Sequence, residues 1–192
     1  MNKCWGLFVA VVGLGALSGC TVNLPFDTRP SFETVTQARG LNANREGPVK
    51  VTWVPSSFPD RVDIEGASGF VGGGSRTRIP TGPGLSSRIL ETLDAAVGVN
   101  SSAPKILTLT IKNAETKFQY SAGIFNVTPA IDRASCDLDV DFATGSTHWS
   151  QTFHAEAKDP RVGGTSQTAL VGQVWDDIAL QVTRSAAAHM QQ

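Results

Sequence analysis

The alternation of apolar and polar side chains over residues 133–159, RASCDLDVDFATGSTHWSQTFHAEAKD, constrains the fold of this chain most. Such a period of two is typical of strands that bury one face. Thr144 and Gly145 interrupt the pattern and predict a turn. The segment is therefore expected to form a β-hairpin. One face is apolar (Cys136, Leu138, Val140, Phe142, Trp149, Phe153, Ala155, Ala157) and the other is polar (Asp137, Asp139, Asp141, His148, Ser150, Thr152, His154, Glu156, Lys158).

Two more strands are predicted before the hairpin. VKVTWV, residues 49–54, alternates as a half-buried strand should and ends before Pro55. Residues 105–122, KILTLTIKNAETKFQYSA, alternate between apolar and polar side chains, but the apolar positions change parity partway along. A bulge near Asn113–Glu115 would return the later apolar residues to the same face. The glycine- and proline-rich residues 64–84 are expected to form a long loop or a loose hairpin.

Two amphipathic helices are predicted from apolar residues at helical spacing. The first carries Leu85, Ile89, Leu93 and Val97 and ends at Gly98. The second begins with Thr165 or Ser166 as N-cap, and its tail, residues 186–192, is expected to fray. Its apolar face comprises Val171, Val174, Trp175, Ile178 and Val182.

These elements predict an α+β fold in one domain, residues 49–192. Helices on one face of an antiparallel sheet are a stable two-layer solution. We therefore expect an antiparallel sheet of about four strands with two helices packed on one face. The opposite, polar face of the sheet would meet water or a partner.

The N-terminus has the layout of a secretory signal peptide, expected over residues 1–19. Lys3 provides a positive start, Trp5–Leu17 is apolar, and small residues follow. The apolar run is shorter than the about 20 residues that a comfortable transmembrane helix needs.

Leu17-Ser18-Gly19-Cys20 at the end of this run resembles the lipobox of bacterial lipoproteins. The resemblance implies that the Cys20 thiol receives a diacylglyceryl group, that cleavage falls between Gly19 and Cys20, and that the new amine is acylated. More than one acyl chain makes anchoring stable. Since Thr21 rather than Asp follows the cysteine, resemblance to lipoproteins of diderm bacteria implies the outer membrane, with the domain in the periplasm.

Residues 20–48 contain prolines, polar residues and little periodicity, which is typical of a flexible tether. A fragment from about Gly47 is therefore expected to fold alone. Cys4 would leave with the signal peptide and Cys20 would be lipidated, so Cys136 would remain as the one thiol, without a disulfide partner. Its neighbours predict a small core residue.

The order of elements over roughly residues 49–185 is similar to that of small envelope lipoproteins of the YajG type, of auxiliary lipoproteins of lipid-transport systems, and of ring-forming export lipoproteins. Beyond the lipobox, no residue motif supports this similarity. No functional residue is therefore carried over from those families.

The residues favour no enzyme, metal or nucleic-acid site. The net charge is −1 and the basic residues do not cluster, as a nucleic-acid footprint would require. Asp137, Asp139 and Asp141 stand about 7 Å apart along a strand, which is too spread for a cation needing six to eight oxygens. A turn at Thr144–Gly145 would put His148 opposite Asp141, but no nucleophile motif accompanies this pair.

We therefore expect a membrane-anchored, non-catalytic accessory or scaffold lipoprotein of an envelope assembly or transport system. It would need no cofactor beyond the lipid on Cys20, and would bind an envelope protein or form homo-oligomers. The candidate partner surface comprises Asp137, Asp139, Asp141, His148 and His154. The alternative is a lipoprotein that binds a lipid or small ligand, which a deep apolar pocket between sheet and helices would favour. A hydrolase is the third interpretation, favoured by a convergent acid–base–nucleophile cluster.

Overall fold

The computed structural model describes residues 21–23, 27–41, 47–54, 62–65, 76–79, 81–119, 131–159 and 167–190. The elements in chain order are β1 (Thr21–Asn23), α1 (Phe32–Gly40), β2 (Val49–Trp53), β3 (Val62–Glu65), β4 (Arg76–Ile79), α2 (Thr81–Val97), β5 (Lys105–Gln119), β6 (Asp132–Thr144), β7 (Thr147–Asp159) and α3 (Gln167–Met190).

The main sheet has the strand order β2-β5-β6-β7. β5, β6 and β7 are antiparallel neighbours, as predicted. The expectation of a wholly antiparallel sheet is wrong for β2, which runs parallel to β5 with Val49 opposite Lys105. The chain crosses from β2 to β5 through α2, and a helical crossover is how parallel neighbours are joined.

The β5 register changes between Ile111 and Asn113, close to the predicted bulge. Leu107, Leu109 and Ile111 are buried before the change. After it, Thr116 and Phe118 are buried instead. One extra residue therefore keeps a 15-residue strand on the same core despite its change of sequence phase.

A smaller sheet with the order β1-β4-β3 occupies part of the region expected to be a loop or loose hairpin. β3 and β4 are antiparallel, with Glu65 opposite Arg76. β1 adds to β4 in parallel and places Thr21 opposite Arg76. The last residues of the expected loop belong to α2, which begins at Thr81.

The helices pack on one face of the main sheet, and the fold is α+β. The predicted apolar face of α2 is buried, and Gly98 follows its end with a positive φ of 74°. All five predicted core residues of α3 are fully buried, with Trp175 the largest. The tail of α3 does not fray through residue 190, because Ala186, Ala187 and Met190 are buried. The predicted N-cap of α3 lies outside the described residues.

A third helix, α1, lies where a flexible tether was expected, and that expectation is wrong for residues 31–40. Ser31 caps α1 by accepting a hydrogen bond from the Thr34 backbone. Ala38 is fully buried in the core, and α1 packs on both α2 and α3. The helix has little apolar periodicity because small and polar side chains make its contacts, which is why its sequence resembled a linker.

Candidate functional site

The outer sheet face, defined here as the face of the main sheet opposite the helices, carries the candidate partner surface. β6 buries its even-numbered residues and turns Asp137, Asp139 and Asp141 outward. β7 turns its even-numbered residues to the same side, and His148 and His154 are exposed. The structure thus places all five predicted residues on one face, as their parity indicated.

A ladder of hydrogen bonds joins the two strands across this face. His154 Nδ1 lies 2.7 Å from Asp137 Oδ1. Thr152 Oγ1 donates to Asp139 Oδ1 at 2.6 Å, and Ser150 Oγ donates to Asp141 Oδ1 at 2.7 Å. Each aspartate therefore has its own polar partner directly opposite, and the three carboxylates do not converge.

The electrostatics of the outer sheet face are balanced by local pairs. Lys112 Nζ lies 3.0 Å from the second carboxylate oxygen of Asp141. The hydrogen bond from Ser150, and then that from Lys112, lower the pKa of Asp141. Lys158 Nζ similarly approaches Glu156 at 3.2 Å. The face therefore offers ordered, paired charges and hydroxyls rather than a field of one sign.

The predicted opposition of His148 and Asp141 is wrong. The turn residues are Gly145 and Ser146, one position later than predicted, since Thr144 pairs with Thr147. Gly145 has φ 56°, which favours glycine. The later turn shifts the pairing by two residues, so His148 lies opposite Ala143 and Asp141 lies opposite Ser150.

The geometry does not assemble a nucleophile and a base on this ladder. The imidazole of His154 is held by Asp137, an arrangement that could orient a base. The hydroxyl of Thr152, on the same side of β7, is two residues away, about 7 Å along the strand, and is bonded to Asp139. The hydroxyl of Ser135 on β6 is likewise one diagonal step from His154, since Asp137 is the residue directly opposite. Among the described residues, no group of three or more His, Cys, Asp or Glu side chains could hold a metal ion.

A buried ion pair between α2 and α3 was missed by the sequence analysis. Arg88 and Asp176 are 5% and 7% exposed, and the Arg88 guanidinium donates to the Asp176 carboxylate. The other Asp176 oxygen accepts from Ser31 N at 2.9 Å and from Thr34 Oγ1 at 3.3 Å. Arg88 also donates to the Asp27 carbonyl at 2.7 Å. This group, here called the helix clamp, ties the segment leading to α1 onto α2 and α3.

A row of small residues on α3, beside its predicted apolar face, was the sequence feature that indicated the helix clamp. Gly172, Asp176, Ala179 and Thr183 recur at helical spacing, and all are buried. Thr183 Oγ1 donates to Thr92 Oγ1 of α2 at 2.9 Å. A charged residue within a stripe of small residues indicates a close helix contact that must supply it with a partner.

Cys136 and Trp149 also place polar atoms in or beside the core, and each has a hydrogen-bond partner. Cys136 is free and buried, as predicted, and burial raises the pKa of its thiol to about 11. Thr116 donates to its sulfur at 3.5 Å. Trp149 stacks on Phe142 at 4.7 Å and on His189 at 4.3 Å, while its indole N–H donates to Ser185.

The layer between sheet and helices is filled by side chains. Trp175, Ile178 and Leu138 meet there and are fully buried. A surface cleft of about 560 Å³ instead lies at the end of the main sheet, beside the β6–β7 turn. Its walls include Lys105, Ile106, Thr144, His189 and Met190. This cleft is open to the surface, so it is not the deep apolar pocket between sheet and helices that the ligand-binding alternative predicts.

Some predicted features lie outside the described residues. They are Gly19, Cys20 and most of the glycine-rich segment 66–84, of which only β4 and the first residues of α2 are described. In the described ranges, none of the helices is both long and apolar enough to cross a membrane.

Comparisons with known proteins return only distant structural likeness. No protein-family model matches the chain, and no curated protein matches its sequence. The chain is similar to protein XCC0632 of Xanthomonas campestris, from the DUF330 family, with 12% identity over 90% of this chain and 98% of that one, TM-score 0.49. A minor lipoprotein of Acinetobacter baumannii gives 16% identity over 55% and 82%, TM-score 0.41. The rare lipoprotein B of Shewanella oneidensis gives 8% identity over 76% and 92%, TM-score 0.32.

Proposed function

We propose that this chain is a lipid-anchored envelope lipoprotein that serves a cell-envelope assembly or transport system as a non-catalytic accessory subunit. Acyl chains on Cys20 hold it at the outer membrane, and its α+β domain stands in the periplasm. The observation that carries the proposal is the position of the lipobox relative to the fold. Leu17-Ser18-Gly19-Cys20 ends one residue before β1 begins at Thr21. Cleavage before Cys20 would thus leave every described element in the mature protein.

The outer sheet face is the docking surface in this proposal. In the described part of the chain the helices cover the opposite face, so polar side chains of β5, β6 and β7 are presented together. Ordered hydroxyl, carboxylate and imidazole groups suit a polar protein interface, where such groups set specificity more than affinity. The cluster of buried apolar side chains between the sheet and the helices supports docking at the surface over enclosure of a ligand.

The anchor is tested by metabolic labelling with a fatty-acid analogue in a diderm bacterial host. The wild type should incorporate label, and Cys20→Ala should not. Mass spectrometry of the mature N-terminus should find Cys20 as the first residue. Equal label on the two proteins would overturn the anchor.

The docking surface is tested by site-specific photo-crosslinking in membranes of the native host. A photoreactive residue at Thr152, in the middle of the outer sheet face, should give one discrete adduct. The matched control is the same residue at Arg39, exposed on α1. Asp139→Asn should weaken the Thr152 adduct without changing protein level. Adducts of equal yield at both positions would contradict a specific surface.

A further inference from the structure

We infer that the end of the domain at which α2 and α3 begin faces the bilayer, and that the domain is mounted there rigidly rather than on a tether. This anchor end includes Thr21, Thr81 and Gln167. The distal end includes the Gly145–Ser146 turn and Met190. The inference rests on the proposed lipid anchor at Cys20. It deepens that proposal by assigning which end of the domain contacts the lipid bilayer.

The first argument is chain continuity. Thr21 follows Cys20 directly and is already a β1 residue, paired with Arg76 of β4. β4 ends at Ile79, two residues before α2 begins. Since a chain spans at most about 3.6 Å per residue, Thr21 lies within roughly 25 Å of the start of α2. Through β4, Cys20 is thus connected to the anchor end by a shorter path than to the distal end, which lies about 25 Å further along α2.

The helix clamp supplies the second argument, because it fixes the chain that follows β1. Asp27 O and Ser31 N are held by Arg88 and Asp176, which lie in the first half of α2 and of α3. Arg88 also donates to Gly172 O at 3.4 Å. The segment expected to act as a spacer is thus attached to the domain at both β1 and α1.

The two ends of the domain are well separated. At the distal end, Lys105 Nζ donates to Met190 O, and Leu107 pairs with Thr144. The 13 residues of β6 run about 40 Å toward the turn, and the 17 residues of α2 run about 25 Å toward the same end. A domain mounted by its anchor end would therefore present the β6–β7 turn and its cleft away from the bilayer.

Energy transfer to a lipid acceptor tests this orientation in the lipidated full-length protein. Ala169→Cys near the start of α3 and Ser146→Cys at the turn are both exposed label sites. Cys136 is buried with a pKa raised to about 11, so a maleimide at neutral pH should leave it unlabelled, as the unsubstituted protein will check. The acceptor is a headgroup-labelled lipid in phosphatidylethanolamine–phosphatidylglycerol vesicles.

The expected result is efficient transfer from position 169 and loss of transfer at position 146. A control protein with about ten Gly and Ser residues inserted after the Cys20-Thr pair should show equal transfer from both positions, because such a linker behaves as a flexible coil. Equal transfer without the insert, or stronger transfer from position 146, would overturn the orientation while leaving the anchor intact. Mass spectrometry that finds no lipid on Cys20 would overturn the anchor, and the orientation with it.

Discussion

The helix clamp and the outer sheet face both pair a carboxylate with a nitrogen-bearing side chain, but they do so in opposite environments. Arg88 and Asp176 are almost fully buried between helices. On the outer sheet face, Asp137 Oδ1 and His154 Nδ1 are 2.7 Å apart, yet these side chains are 39% and 59% exposed. The first pair links three helices distant in sequence, while the second links two strands that a tight turn already holds together.

The difference shows that burial, rather than the contact itself, determines what a charge pair contributes. Removing one partner of a buried pair leaves an uncompensated charge in a medium of low dielectric constant. An exposed group regains water when its partner is removed, so little free energy changes. We therefore assign the helix clamp to stability, while the exposed pairs of the outer sheet face contribute little to it and leave that face free for the docking role proposed above.

Asp176→Ala should have the largest effect of any single change predicted for this protein. It leaves Arg88 buried without its carboxylate and removes the acceptor for Ser31 N and Thr34 Oγ1. Loss of one partner of a buried ion pair costs about 3–5 kcal/mol of unfolding free energy. Urea denaturation followed by circular dichroism measures it.

The double variant Arg88→Met, Asp176→Leu is the matched control for that experiment. Replacing both charges with apolar side chains of similar size should recover a large part of the lost stability. A loss below about 1 kcal/mol for Asp176→Ala would mean that the pair behaves like an exposed one. The contrast between the two regions would then fail.

Deleting residues 21–46 tests the same clamp from the other side. The sequence predicted that a fragment from about Gly47 folds alone because the core lies wholly after the tether. The structure shows that this deletion removes two donors to Asp176 and the buried Ala38. Hydrogen bonds to charged groups contribute about 1.5–3 kcal/mol each, so losing two of them should destabilise the domain by about 3–6 kcal/mol. Calorimetry of both proteins, each without the signal peptide and lipid, measures this. An unchanged Tm would support the original tether.

The buried thiol of Cys136 gives a further test of burial, because its protonation state can be changed by raising the pH. Burial raises its pKa from 9.0 to about 11, so the folded state keeps the proton that the unfolded state releases. Its contribution is complete below pH 9 and is lost as the pH rises to 11, by about 2 kcal/mol. The unfolding free energy, obtained from urea denaturation at several pH values between 8 and 11, should fall more steeply with pH for the wild type than for Cys136→Ala. Parallel slopes would contradict burial of the thiol.

Sequence periodicity predicted the parts of the fold that repeat a pattern over several residues. The buried faces of α2, α3 and β6 were identified because Leu85, Trp175 and Leu138 each belong to a long apolar series. The parity of the strands likewise placed the outer sheet face. Direction and pairing are not encoded in periodicity, so the parallel β2–β5 pairing was missed.

The helix clamp and α1 were missed for a related reason. Arg88 and Asp176 lie off the predicted apolar faces of their helices, and only the small residues in line with Asp176 indicated that it is buried. α1 docks through Ala38 and polar contacts, so it has no apolar stripe for a sequence to reveal. A one-residue error in the turn also moved His148 by two positions in the register, because hairpin pairing depends on the turn.

Asp139→Asn should have the smallest effect on stability and completes the comparison. Asp139 accepts one hydrogen bond, from Thr152 at 2.6 Å, on the exposed face, and an amide oxygen can accept the same bond. We expect the unfolding free energy to change by less than about 0.5 kcal/mol, as for other surface substitutions. Because the change removes a charge from the proposed docking surface, partner binding should instead weaken and depend less on salt.

Thr152→Val, which removes the donor but keeps the carboxylate, is the matched variant and should retain the salt dependence. Urea denaturation gives the stability. Crosslinking yield at rising salt concentration, from a photoreactive residue at His148, which is exposed on the same face, gives the binding. A large loss of stability for Asp139→Asn, comparable to that of Asp176→Ala, would show that the outer sheet face is buried in the native protein and that exposure does not separate the two regions.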